Sequence, residues 1–163
     1  MFDSTYLLLR FFDYVELVKG RKKLQKMVHL LSTAGAAFSF KYQYHHYGPY
    51  STQLQDEINF MVRQGFLEEL KENETYVYKI TPLGKEFKTS LEGTYNGDLN
   101  RELLMSLNEH SSQFLEMAST YAFLLDSGYD SHNAIHKAIE LKPHLSGYAE
   151  DVTNYHNNEL VNH

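Results

Sequence analysis

The chain has 163 residues, no cysteine and a formal net charge of −6, with 13 tyrosines and no tryptophan. That length allows one domain, or a small domain with an extension, and the absence of cysteine excludes disulfides, thiolate nucleophiles and thiolate zinc sites and fits a reducing compartment. The charge is unevenly divided: residues 1–90 hold 12 Lys/Arg against 10 Asp/Glu, and residues 91–163 hold 3 against 11, so the second half repels phosphate and the first half is only weakly basic.

The N-terminus has no basic n-region, no long apolar run and no small-residue cleavage site. No signal peptide and no membrane span are expected, and a cytoplasmic location is. Ser4 can cap a first helix over 5–19, with Leu7, Leu8, Phe11, Tyr14, Val15 and Val18 on its apolar face and Gly20 as its stop. Leu24, Met27, Val28 and Leu31 give a second helix its stripe, ended by Gly35. Arg21, Lys22, Lys23 and Lys26 crowd the start of that helix, where cations oppose the helix dipole at a cost of about 0.3–1 kcal/mol each. Such a cluster is either a solvated basic face or a partner site.

Residues 38–47 alternate. Phe38, Phe40, Tyr42, Tyr44 and His46 fall on one face and Ser39, Lys41, Gln43, His45 and Tyr47 on the other, which is a strand pattern. It leads into Tyr47-Gly48-Pro49-Tyr50-Ser51. Pro49 cannot donate to a ladder, so the strand should end before it. Ser51 is a good N-cap for a third helix whose Leu54, Ile58 and Met61 recur at helical spacing up to the Gly65 stop. Strands over 66–70 and 76–80, joined by Lys71-Glu72-Asn73-Glu74, make a hairpin. Thr81-Pro82 then starts a helix carrying Leu83, Phe87 and Leu91.

The polar run 94–98 marks a boundary, and beyond it every pattern is helical. Asp98 can cap a helix with Leu99, Leu103 and Leu107. Ser111 or Ser112 can cap the next, with Phe114, Leu115, Ala118, Tyr121, Ala122 and Leu125 on one face and Gly128 as its stop. A third spans 132–141, ending before Pro143, and a last one covers 145–158. The expected fold class is mostly α with a small β component, an α+β chain. Residues 1–93 form a winged-helix-like domain, and residues 98–163 an all-helical C-terminal extension packed on the first part or on a second copy of the chain.

Three stretches carry a resemblance: Gly20-Arg21-Lys22-Lys23-Leu24-Gln25-Lys26, the 42–50 segment running into Ser51, and Gly65-Phe66-Leu67-Glu68-Glu69. Together with Leu141-Lys142-Pro143-His144 they resemble the YwgA family of bacterial proteins over nearly the whole chain. A Lys-Leu-rich helix before a Gly-Pro helix start is also similar, more distantly, to the antitoxin domain called Panacea or SocA-like. The resemblance implies a winged-helix fold and a bacterial or phage origin, and it carries no catalytic residues.

The motifs give no support to an enzyme. There is no phosphate loop, no Gly-x-Gly-x-x-Gly and no Gly-x-Ser-x-Gly. His132 and His136 stand four apart on a predicted helix, but the third ligand of a metal site is missing. His45 and His46 diverge on a strand, as do Glu68 and Glu69, so no acid/base pair forms. Neither a cofactor nor a metal is expected.

The expected function is therefore macromolecular binding by a non-enzymatic regulatory protein, with two mechanisms open. In one, Tyr42, Tyr44, Tyr47 and Tyr50 anchor a protein partner, a toxin or host enzyme, as an antitoxin or phage-encoded inhibitor would. In the other, Gln53, Gln55, Asn59 and Arg63 of the third helix read duplex DNA while Arg21, Lys22, Lys23 and Lys26 meet phosphate. Asp56 and Glu57 oppose the second mechanism, and the charge distribution favours the first. The apolar helices after the boundary also suggest a homodimer.

Overall fold

The computed structural model describes residues 1–161. It is mostly helical with a small antiparallel β component. The first helix, α1 (Asp3–Tyr14), buries Leu7, Leu8, Leu9, Phe11 and Phe12. Each such side chain contributes about 1.5–3 kcal/mol of burial free energy. The helix is shorter than its apolar spacing predicts, and Phe2 rather than Ser4 stands at its cap. Val15 turns extended, and Val18–Lys19 become a two-residue strand, β1, paired Val18↔Tyr78 and Lys19↔Val77. Val15 and Val18 are buried either way, so their spacing alone cannot distinguish a last helical turn from an edge strand.

Gly20, at φ +101°, donates its N–H to the Tyr76 carbonyl at 2.8 Å and opens α2 (Arg21–Thr33). The alternating run 38–47 forms regular strand only at β2 (Gln43–His45). It turns back into β3 (Gly48–Tyr50), with Tyr44 opposite Pro49. Pro49 therefore lies inside a strand rather than after one. A two-stranded ribbon is all edge, where a missing N–H is tolerated. Residues 38–42 find no ladder partner; Phe38 and Phe40 instead stack at 5.9 Å and pack on the core.

Ser51 Oγ accepts from the Leu54 N–H at 3.1 Å and caps α3 (Thr52–Arg63), whose Leu54, Ile58 and Met61 are buried. β4 (Leu67–Glu72) and β5 (Thr75–Ile80) form the expected hairpin. Its two-residue turn puts Asn73 and Glu74 at positive φ, as a tight right-twisted hairpin demands. The sheet order is β1-β5-β4. α4 (Pro82–Leu91) starts on Thr81, whose Oγ1 accepts from Gly84. A Cβ at Gly84 would strike the Phe66 carbonyl, so only glycine lets α4 sit this close to the start of β4.

After the polar break come α5 (Arg101–Glu109), capped by Asn100 rather than Asp98, α6 (Ser112–Asp126) on Ser111, and α7 (Ser131–Leu141) on Asp130. The predicted last helix is broken into a 3-10 segment (Pro143–Tyr148), α8 (Ala149–Tyr155) and a π turn (His156–Leu160). Helix α6 is apolar nearly all round and is buried against α2, α7, α8 and β3. Its side chains, those of α1 and α2, and those of the C-terminal segments form one continuous core. The apolar faces of α5 and α6 are thus covered within the chain. Among the described residues no helix is long and apolar enough to cross a membrane.

Candidate binding site

The β2–β3 ribbon is held from beneath by charge. Lys26, on the inner face of α2 and only 3% exposed, donates from Nζ to the Pro49 carbonyl at 2.9 Å. Lys142, just before the 3-10 segment, donates to the His46 carbonyl at 2.5 Å and pairs with the Glu116 carboxylate of α6 at 3.2 Å. Two ammonium groups and one carboxylate therefore sit under one ribbon. Burial pulls Lys26 down to about 8, against the opposing attraction of Glu116; taking an ammonium out of water disfavours its charged form. Gly48 brings the backbone down onto α6. Its φ is +95°, and a Cβ there would meet Thr120 Oγ1 at 3.1 Å.

Above that floor, the head of α2, the ribbon and α3 enclose a cavity of about 320 Å³. Six of the twelve side chains singled out from the sequence line it: Arg21, Lys22, Lys26, Tyr47, Tyr50 and Gln55, joined by Gln25, His45, His46 and Gly48. Lys22 Nζ lies 3.2 Å from the centre of the Tyr47 ring. His45 stacks on Tyr50 with centroids 5.1 Å apart.

The basic run is not one solvated face. Lys26 is buried, and Lys23 donates to the Asn108 carbonyl at 2.6 Å and is lowered by burial. Arg21 donates to Tyr78 Oη at 3.0 Å, lies 3.4 Å from Glu69 and stacks 3.8 Å over Tyr76. Its pKa is raised chiefly by the hydrogen bond to Tyr78. A helical pattern puts these cations on neighbouring positions but does not say which carbonyls reach them.

The tyrosines also separate. Tyr44 and Tyr47 are exposed on the ribbon. Tyr50 is half-buried, and Tyr42 turns its hydroxyl inward, with its ring edge-on to His29 at 4.6 Å. On α3, Gln53 accepts from the Lys41 N–H at 2.8 Å, Gln55 donates to Asn59 at 3.0 Å, and Arg63 is exposed near the end of the helix.

Glu116 and Gln25 were not legible as site residues. Glu116 carried one signal, a carboxylate placed inside a mostly apolar helix whose other acid, Asp126, stands at its last residue. Elsewhere, His29 Nδ1 lies 2.7 Å from Ser119 Oγ. Burial pushes His29 down to about 4, and Ser119 has no exposed surface, so the pair is a core hydrogen bond and presents no nucleophile. The His132 and His136 rings are 4.4 Å apart. No group of three or more metal-ligating side chains occurs among the described residues.

These features define a mostly helical α+β protein with a small ribbon seated on a helical core. The chain is 33% identical over 148 residues to a Bacillus subtilis (strain 168) protein named "Uncharacterized protein YwgA"; the match covers 86% of this chain and 84% of that one. The chain belongs to the YwgA family. No protein-family model matches it.

Proposed function

We propose that this is a non-enzymatic regulatory protein of winged-helix type that works by gripping another protein, as an antitoxin-like protein or a phage-encoded inhibitor or adaptor does. In this reading α1, β1, α2, α3 and the β4–β5 hairpin are the winged helix, and the β2–β3 ribbon is an insertion that carries the grip. One observation supports it most. Tyr44 and Tyr47 stand exposed on a ribbon fixed from below by Lys26 and Lys142. Rigid aromatic anchors lose little entropy on binding.

Duplex DNA is the second reading, supported by the exposed Gln53 and Arg63 of α3 and by the exposed Arg21 and Lys22. It is weaker because phosphate contacts dominate DNA affinity, while Lys23 and Lys26 are committed to backbone carbonyls. Titration with random duplex DNA across a salt series separates the two. The protein reading expects no binding even at about 50 mM salt, where phosphate contacts are strong. Binding that falls steeply with salt and disappears in Lys22→Glu overturns it. A second copy of the chain is a further candidate partner, and the mass by light scattering, single or doubled, decides that point.

A further inference from the structure

We propose that the cavity at the base of the β2–β3 ribbon binds a small molecule carrying a flat ring and one anionic group, such as a nucleoside monophosphate or an aromatic carboxylate. The volume of about 320 Å³ lies in the range of small-ligand pockets, which are mostly apolar with a few placed polar groups. The wall here is more apolar than polar.

The sign of the ligand follows from the lining. Arg21, Lys22, Lys26, His45 and His46 contribute to it, and no Asp or Glu is among its described lining residues. Four other clefts in the described residues each include at least one carboxylate. Lys26 is the deepest cation. An ammonium has three donors, and the Pro49 carbonyl takes one of them. Glu116 attracts this ammonium but is ion-paired with Lys142, so one carboxylate is shared between two cations. An anion entering the cavity meets this ammonium away from bulk water, where the attraction is less screened.

The ring follows from the aromatic groups. Tyr47 offers one face and the stacked His45–Tyr50 pair offers another. The Lys22 ammonium covers one face of the Tyr47 ring, which leaves the opposite face for a ligand ring and keeps a cation within reach of an anionic group attached to it. The inference concerns the isolated chain and does not depend on the protein partner proposed above.

The test is calorimetric titration of the purified protein with AMP and with 2-naphthoate. Adenosine, inorganic phosphate and an Asp/Glu-rich hexapeptide are the controls. The expected result is that at least one ring-bearing anion binds, with the one that binds identifying the source. Adenosine and phosphate should bind at least tenfold more weakly. Lys22→Glu and Tyr47→Ala, both at exposed side chains, should each lower the affinity at least tenfold with unchanged thermal melts. Amide shifts mapping to residues 45–50 and to the head of α2 would locate the ligand independently of the variants. Failure of both ring-bearing anions to bind at millimolar concentration overturns the proposal. So does binding insensitive to both variants, or hexapeptide binding as tight as that of the ring-bearing anions. The protein-binding reading stands or falls separately, because no partner is present in this experiment.

Discussion

Gln25 and Ser51 exchange two buried hydrogen bonds: Ser51 N–H donates to Gln25 Oε1 at 2.9 Å, and Gln25 Nε2 donates to the Ser51 carbonyl at 2.9 Å. The side-chain amide thus acts as a strand partner for the residue that caps α3, and it fixes α3 to α2. Replacing Gln25 by Leu keeps the bulk but strands the buried Ser51 N–H, at about 1–3 kcal/mol, while the Ser51 carbonyl keeps the Gln55 N–H at 3.2 Å. The urea midpoint should fall while the slope is preserved. An unchanged midpoint would show that these bonds contribute nothing net.

The buried charges under the ribbon predict a ranking. Glu116→Leu leaves Lys26 and Lys142 without their carboxylate and should cost about 3–5 kcal/mol. Lys142→Met should cost less, because Lys26 still faces Glu116. The double variant Glu116→Leu/Lys142→Met should recover part of the single Glu116 loss, since one uncompensated ammonium is gone. Chemical denaturation of the two single variants and the double closes the cycle; strictly additive losses would refute the coupling.

Acid should weaken the protein through its buried histidines. His29 is lowered to about 4 from its ordinary 6.5 by burial. Between those values the unfolded chain binds a proton that the folded chain does not, so stability falls as pH drops from 6.5 towards 4. The loss from His29 is on the order of 3 kcal/mol, at 1.4 kcal/mol per pKa unit. His110 and His156 are lowered chiefly by burial as well and act in the same direction. Urea stability measured at several pH values across this window should therefore have a positive slope that is reduced, not abolished, in His29→Gln. Lys26 works at the other end: its folded value of about 8 lies below the ordinary 10.5, so stability should rise with pH between the two, and Lys26→Met should flatten that rise.

What could be read from the sequence was what neighbouring residues decide. The Ser51 cap, the Leu54–Ile58–Met61 stripe, the β4–β5 hairpin and the Thr81-Pro82 start all depend on residues within a turn or two, and all are present, though Lys71 and Glu72 belong to β4 and leave only Asn73-Glu74 in the turn. β1 was missed because a two-residue strand exists only through its distant partner on β5. The 38–42 stretch alternates like a strand but has no ladder to join. Half of the residues expected at a binding surface share one cavity. What periodicity could not supply was which cations are spent on carbonyls. Lys26 reads as a basic surface residue until Pro49 folds over it, and Glu116 reads as a stray acid in an apolar helix until Lys142 arrives from the end of α7.

Gly48 should tolerate no side chain. Alanine there must adopt a left-handed backbone and push against Thr120 Oγ1. The strain is of order 1–3 kcal/mol, and it should loosen the ribbon before the rest of the fold. Hydrogen exchange of the residue 43–50 amides in Gly48→Ala should accelerate more than that of the α1 and α6 amides; uniform acceleration would mean the ribbon has no local stability of its own.

The ribbon as a protein-gripping surface is tested most directly by photo-crosslinking in the cells that express the protein. A benzophenone amino acid is placed at Tyr44 or Tyr47 and, as the control, at Met105, which is exposed on α5. The account predicts one discrete protein adduct from positions 44 and 47 and none from 105. Nucleic-acid adducts from the ribbon, or an equal protein adduct from position 105, would contradict it.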